Sequence, residues 1–463
     1  MSPRLPRLLA TATVTLLLGL GLGLPAARAA TPDQALAHLA RALGQQATAD
    51  ATFEAIASRT AALRGLTPRE PVERHFLTPE QYREQVVQDL NDPDSLKEIE
   101  NSRKLMVALG LLAPDADLYA LELQFRSSIV LGQYDPDTKE LDVVTGADEN
   151  SPSARVTLAH EFTHALQDQY YDIRRLMPKH SDNSDRDLAV SALLEGDALI
   201  TQELYALQAL TPEERSEEQR EEADQGNSVD FDSLPLVMVE ETYFPYTEGP
   251  RFIAAVIGRD TLRQAIDTGK GYGPAVDRIF DNPPQSTAQI LHPEKYLAGI
   301  APIAVELPDL AAALGQGWQQ LEKDVLGEID HRILIQQFLG RDRGVQAAAG
   351  WAGDAYALLG NGDQSAVVVS SRWDSPAAAQ AWLAAYADAV QARYGSRLQV
   401  VEQRPDGVLW QTPDGAQAVD VSGTSTNIII APSQEAVRSL ERTLLGAPPT
   451  VLRSFAPAVG VAS

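Results

Sequence analysis

The chain has 463 residues, of which 44% are hydrophobic and 22% charged; its formal net charge is −26 and it contains no cysteine. This composition predicts a folded protein of two or three domains and excludes a disordered or fibrous chain. The negative charge argues against nucleic acid or anionic lipid as a partner, and the lack of cysteine excludes a disulfide framework.

The first thirty residues have the pattern of a secretory signal peptide. Arg4 and Arg7 form a basic start, residues 8–24 are apolar, and residues 27–29 (Ala-Arg-Ala) form a small-x-small cleavage pattern. A retained membrane anchor is the competing interpretation, because the apolar run is almost long enough to span a bilayer. We expect cleavage near Ala30, no stable membrane insertion of the mature chain, and a secreted or periplasmic location.

A helical N-terminal region follows over residues 31–124. Apolar residues recur there at spacings of three and four, as in residues 35–43 and 105–112. Two strands are then predicted at residues 128–131 and 140–144, with turn residues between them. The sequence therefore predicts a short sheet directly before the central helices.

Two long helices and an acidic segment make up the centre of the chain. The first helix opens at Ser151, and the second covers about residues 187–210. Residues 211–233 are rich in Glu and Asp and predict a solvated acidic loop with some helix; a mobile flap over a cleft is the alternative. Apolar structure resumes at residue 234.

Past residue 307, strands and helices alternate, which indicates a separate α+β domain. Strands are predicted at 355–359, 366–370, 398–401, 407–410 and 427–430, and helices at 376–394 and 433–445. We interpret the tryptophans of this region, Trp351, Trp373, Trp382 and Trp410, as core residues rather than a binding surface.

The motif His-Glu-Phe-Thr-His at residues 160–164 carries the strongest functional signal. On a helix, His160 and His164 lie one turn apart on the same face, so both imidazoles can reach one zinc ion. Glu161 lies beside them, where its carboxylate can take a proton from a zinc-activated water. The apolar residues around the motif argue against the alternative of two surface histidines on a polar helix.

A catalytic zinc ion needs a third protein ligand and an open position for water. Glu195 is the favoured candidate, because a carboxylate inside an apolar helix is costly unless it is paired or bound to metal. His180, in a polar stretch, is the alternative. Either Asp197 or Asp168 is expected to orient a histidine by hydrogen bonding to its second ring nitrogen.

The motif, with Glu195 on a following helix, resembles the gluzincin (thermolysin-like) branch of zinc metallopeptidases over roughly residues 125–300. Residues 134–144 resemble the edge strand along which such enzymes lay an extended peptide. The chain departs from the family pattern at Leu199, where the family has an aspartate four residues after the glutamate ligand. The resemblance supports the ligand assignment and leaves the partner of each histidine open.

The resemblance also implies a downstream tyrosine or histidine that stabilises the oxyanion. Tyr246 and His292 are the candidates, because each lies in a cluster of polar and aromatic residues typical of loops that carry catalytic groups. Arg251 is a further candidate, as a group that binds a substrate carboxylate.

We therefore predict an α+β protein with a mostly helical gluzincin-like catalytic core, a short upstream sheet and a C-terminal α+β domain. The predicted function is that of an exported peptidase that hydrolyses peptide or protein substrates with Zn²⁺, with Glu161 as general base. Its rival is an exported zinc-containing binding or scaffold protein, although a purely structural site would not need Glu161. Hydrolysis of a non-peptide amide, such as a cell-wall component, is a third possibility; oligomeric state and calcium binding stay open.

The predicted regions are a signal peptide (1–30), a helical region (31–124), a catalytic domain (125–306) and a C-terminal domain (307–463).

Overall fold

A computed structural model gives the fold of most of the chain. It describes residues 50–129, 132–144, 150–179, 181–226 and 233–446. These residues form an α+β structure, with helices and a three-stranded sheet in the first part and a seven-stranded sheet in the last. The predicted α+β class is confirmed, whereas the predicted signal peptide lies outside the described residues. None of the helices in the described ranges is long and apolar enough to cross a membrane.

The N-terminal region is helical, as predicted, but it also contains a strand. Its helices are α1 (50–64), α2 (Pro79–Leu90), α3 (Pro93–Leu109) and α4 (Leu118–Ile129). Local signals set the boundaries: Thr78 and Gln81 form a capping box at the start of α2, and Gly110 ends α3 in the left-handed conformation. The sequence prediction missed the strand β1 (Glu73–Leu77), because its stability comes from pairing with a distant segment.

That segment belongs to a small sheet of order β1-β3-β2. Strand β3 (Glu140–Val144) has the predicted bounds and pairs in parallel with β1 and antiparallel with β2 (Gly132–Asp135). The other predicted strand, 128–131, was wrong at its first two residues, and its last two lie outside the described residues. Residues 128 and 129 end α4, since the buried face marked by Leu118 and Phe125 continues the helical period.

Nine helices of the described residues form the central part. They are α5 (Pro152–Tyr171), α6 (Ile173–Leu176), α7 (Ser184–Ala209), α8 (Pro212–Gly226), α9 (Leu236–Ile257), α10 (Arg259–Thr268), α11 (Gly273–Asp281), α12 (Thr287–Leu291) and α13 (Pro293–Leu297). Helix α5 begins at the predicted place, where the Ser151 side chain accepts from the backbone N–H of Ala154. Helices α5 and α7 pack together and are buried on nearly all sides, which explains their lack of a polar face.

Residues 211–233 were predicted as an acidic loop with some helix, and α8 makes the helical part larger than that prediction implied. Its sequence has few apolar residues, but Glu, Arg, Gln and Ala favour a helix. It packs against α5, where Arg155 forms an ion pair of 2.5 Å with Glu214. Most of the side chains on residues 212–221 are exposed, so this part of the helix needs no apolar stripe; residues 227–232 lie outside the described residues.

Helices α7 and α9 cross at two glycines. A Cβ on Gly196 would lie 2.5 Å from the carbonyl carbon of Gly249, and a Cβ on Gly249 would lie 2.1 Å from the carbonyl oxygen of Ala192. Only residues without a side chain allow the two backbones to approach this closely. This crossing holds α9 against α7 directly next to Glu195, which is the residue before Gly196.

The C-terminal part consists of an antiparallel sheet of order β4-β5-β6-β10-β9-β8-β7 and its helices. Its elements are α14 (Leu310–Leu314), β4 (Gln319–Asp324), α15 (Gly327–Leu339), α16 (Arg341–Ala348), β5 (Trp351–Asn361), β6 (Gln364–Trp373), α17 (Pro376–Tyr394), β7 (Gln399–Arg404), β8 (Gly407–Thr412), β9 (Gly415–Ser422), β10 (Ser425–Ala431) and α18 (Gln434–Gly446). The predicted strands and the two predicted helices are confirmed within a few residues. The prediction missed α14, β4, β9, α15 and α16: α14 has only five residues, β4 is polar and only partly buried, β9 is rich in alanine, and α15 buries charged residues.

One face of this sheet is continuous with the core of the helical part. Trp351, Trp373 and Trp382 are buried there, and Trp410 is also buried, so the interpretation of these residues as core is confirmed. Helices α15 and α17 cover that face, and α14 and α18 cover a smaller apolar cluster on the other.

Candidate metal centre

Three side chains from α5 and α7 converge in the buried centre of the helical part. His160 Nε2 lies 3.1 Å from both Glu195 Oε2 and His164 Nε2, and His164 Nε2 lies 3.5 Å from Glu195 Oε2. None of the three residues is more than 2% exposed. The structure therefore brings together the three residues that the sequence predicted as zinc ligands.

Each imidazole also forms a hydrogen bond through its Nδ1 atom, which points away from the cluster. These hydrogen bonds determine whether the Nε2 atom, which faces the cluster, carries a lone pair. His160 Nδ1 lies 2.9 Å from Gln202 Oε1, and His164 Nδ1 lies 2.8 Å from Gln167 Oε1. An amide oxygen only accepts, so each Nδ1 is the donor. In a neutral ring the Nε2 atom then carries a lone pair, which is the form that binds a metal.

This arrangement fits a metal ion. Two imidazole nitrogens and one carboxylate oxygen, all acceptors, point at one another inside the protein, which is unfavourable without a cation between them. A tetrahedral zinc ion at roughly 2.0–2.2 Å from each ligand would hold the ligand atoms roughly 3.3–3.6 Å apart. The separations of 3.1–3.5 Å are close to that spacing.

Electrostatics in the cluster favour a positive charge next to Glu195. Burial opposes ionisation of both Glu195 and His164, but their mutual attraction outweighs it. The pKa of Glu195 is lowered to about 2, mainly by His164, and the pKa of His164 is raised to about 9, mainly by Glu195. At neutral pH the carboxylate is ionised, and binding of a metal would replace the proton on His164.

Glu161 is fully buried and contacts the small sheet. Its Oε2 accepts a hydrogen bond of 3.0 Å from the backbone N–H of Tyr134 in β2. A Cβ at Gly132 would lie 3.0 Å from Glu161 Cγ, so glycine at this position allows β2 to come close to α5. The predicted general base is therefore held between α5, which carries the two histidines of the cluster, and the upstream strand.

A buried network of hydrogen bonds supports the imidazole of His164. Gln167 Nε2 donates to Leu194 O and to Asp197 Oδ2, both at 2.9 Å, which fixes the amide oxygen toward the imidazole. Asp197 also accepts from Tyr272 OH and from Arg64 Nε, again at 2.9 Å. Two acidic partners and two tyrosines surround the guanidinium, and they raise the pKa of Arg64 although burial opposes this.

The expectation that an aspartate directly orients a histidine was wrong. Asp197 acts one step further out, through Gln167. Asp168 accepts from Tyr134 OH at 2.9 Å and from the backbone N–H of Ile173 at 3.0 Å, so its role is to join β2 and α6 to α5. Neutral amides take the position next to the rings, which leaves the network with fewer charges to bury.

The positions of Gln167 and Gln202 along their helices could have indicated that both lie close to the cluster. Gln167 follows His164 by three residues and Gln202 follows Glu195 by seven, so each lies on the same helix face as a ligand. The contribution of Arg64 has no such signal, because it comes from α1, 133 residues before Asp197.

Two other sequence candidates, His292 and Arg251, have their recorded side-chain contacts with residues outside the cluster. The His292 imidazole contacts Glu328 at 2.7 Å and Glu294 at 3.6 Å, and the first of these contacts, despite burial, raises the pKa of His292. Arg251 is exposed and pairs with Glu248 on its own helix. His180 lies outside the described residues.

Tyr246 is half-buried in α9, three residues before Gly249 and therefore one turn from the crossing with α7. Its catalytic role, like that of His292, stays a prediction. A second group of possible ligands in the described residues, Glu73, His75 and Glu140, is largely exposed on the small sheet. The cluster of His160, His164 and Glu195 is the stronger candidate because its side chains are buried as well as close together.

Comparison with known proteins informs only the C-terminal part. A family model described as a domain of unknown function (DUF8575) matches residues 316–441. This range runs from just before β4 into α18 and contains none of the residues of the buried cluster. No curated protein and no solved structure matches the chain.

Replacing Gln202 by leucine should weaken zinc binding about 10–100-fold, because the Nδ1–H of His160 would lose its acceptor and the ring its fixed orientation. Competition with a chelator of known affinity measures this change. Gln208→Leu on the same helix is the matched control, since the Gln208 amide contacts the backbone of α10. Equal zinc affinity in both variants would contradict the positioning role of Gln202.

Proposed function

We propose that this protein is a secreted or periplasmic zinc-dependent peptidase with a gluzincin-like catalytic core. The observation that carries the proposal is the buried convergence of three acceptors that could hold a metal, with a fourth group, Glu161, between two of them in the chain. His160, His164 and Glu195 would hold the metal. A three-residue set leaves a position for water and substrate, which is the pattern of catalytic rather than structural zinc sites.

Bound zinc would supply a water of lowered pKa and polarise the scissile carbonyl. The chain itself supplies the proton transfer. Glu161 would accept a proton from the attacking water and deliver it to the leaving amine. The Tyr134 N–H holds one oxygen of this carboxylate, so its position is set before substrate arrives.

The small sheet supports a peptide as the substrate. Strand β2 is at the edge of the sheet, with β3 as its only partner in the part of the chain that is described. Because the N–H of Tyr134 points to Glu161, the outer edge of β2 faces the proposed general base. An extended peptide that paired with this edge would pass beside Glu161.

The rival proposal is a zinc-containing scaffold without activity, and a third is hydrolysis of a cell-wall amide by the same residues. The first experiment is to purify the mature protein, measure its zinc content, and assay casein and cell-wall substrates before and after chelation. One zinc per chain, with casein hydrolysis that is lost on chelation and restored by zinc, supports the peptidase. One zinc without hydrolysis of either substrate supports the scaffold, and hydrolysis of cell-wall material alone supports the third proposal. Absence of bound zinc would contradict all three.

A further inference from the structure

A cavity between the N-terminal helices and the C-terminal sheet is lined by carboxylates. It has a volume of about 70 Å³ and lies among α3, α4, α9, α15 and the first strands of the large sheet. Neither lysine, arginine nor histidine contributes to its wall, and most of the other lining residues are apolar. The six acidic residues are Glu98, Glu122, Glu241, Glu322, Asp324 and Asp330.

Some of these carboxylates have partners within the protein, but Glu98 has an oxygen that does not. Asp324 accepts from the backbone N–H groups of Ser184 and Val325 at 2.9 and 2.7 Å, and Glu322 accepts from Tyr356 OH. Glu98 is only 7% exposed, and nothing in the described residues forms a hydrogen bond with its buried Oε1. A buried carboxylate oxygen without a partner is costly, which points to a cationic ligand.

The geometry argues against a metal ion in this cavity. Among the described residues, only two groups of three acidic or histidine side chains are close enough to share one ion, and neither includes a cavity residue. The carboxylates are therefore too far apart to form a coordination sphere. An organic cation suits the wall better, since Leu105, Leu109 and Leu334 can contact an alkyl chain while Glu98 contacts the charge.

The cavity volume limits the size of that cation. One water-sized group needs about 10–15 Å³ on this measure, so the cavity holds about five non-hydrogen atoms. An ammonium nitrogen on a chain of about four carbons has this size. Both a free alkylamine and the side chain of a lysine in a polypeptide offer this group.

We propose that this cavity binds an alkylammonium group, with Glu98 as its principal counter-charge. The cavity is distinct from the metal cluster: Ser184 lines the cavity, and Glu195 lies eleven residues further along α7, about 16 Å away along the helix axis. The inference does not depend on peptidase activity.

The protonation of Glu98 agrees with this assignment. Burial, reinforced by Glu322, Asp94 and Asp92 and opposed by Lys97, raises the pKa of Glu98 to about 8. An ammonium group beside the carboxyl would lower that pKa. An amine with a pKa of about 10.4 stays charged at pH 9, so it should bind more tightly at pH 9 than at pH 6.

Calorimetric titration of the mature protein with n-butylamine tests the proposal, with n-butanol as the neutral compound of the same shape. We expect saturable binding of n-butylamine that weakens at least tenfold in Glu98→Gln, and no saturable binding of n-butanol. Glu84→Gln, an exposed substitution on α2, should bind n-butylamine as the parent does. Nα-acetyl-lysine amide and its Nε-acetylated form repeat the comparison for a polypeptide source.

Binding of n-butylamine alone identifies a free amine as the ligand, and binding of the lysine amide alone identifies a polypeptide side chain. Both results support the cavity as an alkylammonium site. Equal binding of n-butanol, equal affinity in Glu98→Gln and the parent, or no binding of either amine would overturn it. If Glu98→Gln does not fold, the comparison of n-butylamine with n-butanol on the parent protein still tests the proposal.

Discussion

Replacing Glu161 by glutamine is expected to lower the rate of casein hydrolysis about 10²–10⁴-fold while one zinc ion stays bound. The amide has the same shape as the carboxylate and can still accept from the N–H of Tyr134, but it cannot take a proton from water. The loss should therefore appear in kcat, with KM changed much less. Steady-state kinetics and zinc content, measured on the same preparation, test both parts of this prediction.

Glu213→Gln provides the matched control, because Glu213 is an exposed residue of α8 and the substitution removes the same charge. It should hydrolyse casein at the parental rate. Parental activity in Glu161→Gln would refute the assignment of Glu161 as general base. Loss of zinc together with activity would instead indicate that Glu161 contributes to the metal site, and the mechanism would have to be revised.

Replacing Arg64 by methionine should reduce the free energy of unfolding by about 3–5 kcal/mol, because it leaves a buried carboxylate without its charged partner. Arg64 and Asp197 both have fully buried side chains, and the Nε–Oδ1 distance is 2.8 Å. Methionine keeps much of the apolar volume, so the cost arises mainly from the unpaired charge. Denaturant unfolding at saturating zinc measures the change.

Arg59→Met on the same helix is the control, since Arg59 is exposed and its hydrogen bond to Gln208 lies at the surface. Its effect should stay within about 0.5 kcal/mol. The double variant Arg64→Met, Asp197→Asn should recover part of the lost stability, because it removes the uncompensated charge. Equal stabilities of Arg64→Met and Arg59→Met would show that the buried pair contributes little.

The Arg64 variant also tests the connection between the network and the metal. Asp197 receives hydrogen bonds from both Arg64 and Gln167, and the Gln167 amide oxygen faces His164. If the network positions the imidazole, zinc affinity should fall in Arg64→Met and not in Arg59→Met. Unchanged zinc affinity in a destabilised Arg64→Met would limit the network to a structural role.

The sequence alone determined the parts of the site that depend on helical geometry. Residues four apart on a helix lie on one face, so the convergence of His160 and His164 follows from their spacing once α5 is a helix. The serine cap at position 151 and the apolar surroundings of Glu195 were equally local signals. The predicted bounds of β3 and α17 agree with the structure for the same reason: each has a clear local pattern between turn or capping residues.

Only the tertiary structure decided which groups support the three residues of the candidate metal centre. Gln202 contacts His160 across 42 residues, and Arg64 contacts Asp197 across 133. Strand β1 is stabilised by pairing with β3, and the sequence pattern of residues 73–77 does not predict that partner. Local patterns report which face of an element is apolar, but the partner of a buried polar group depends on how distant elements pack. The three residues of the candidate metal centre could therefore be predicted from sequence, whereas the hydrogen bonds that hold them could not.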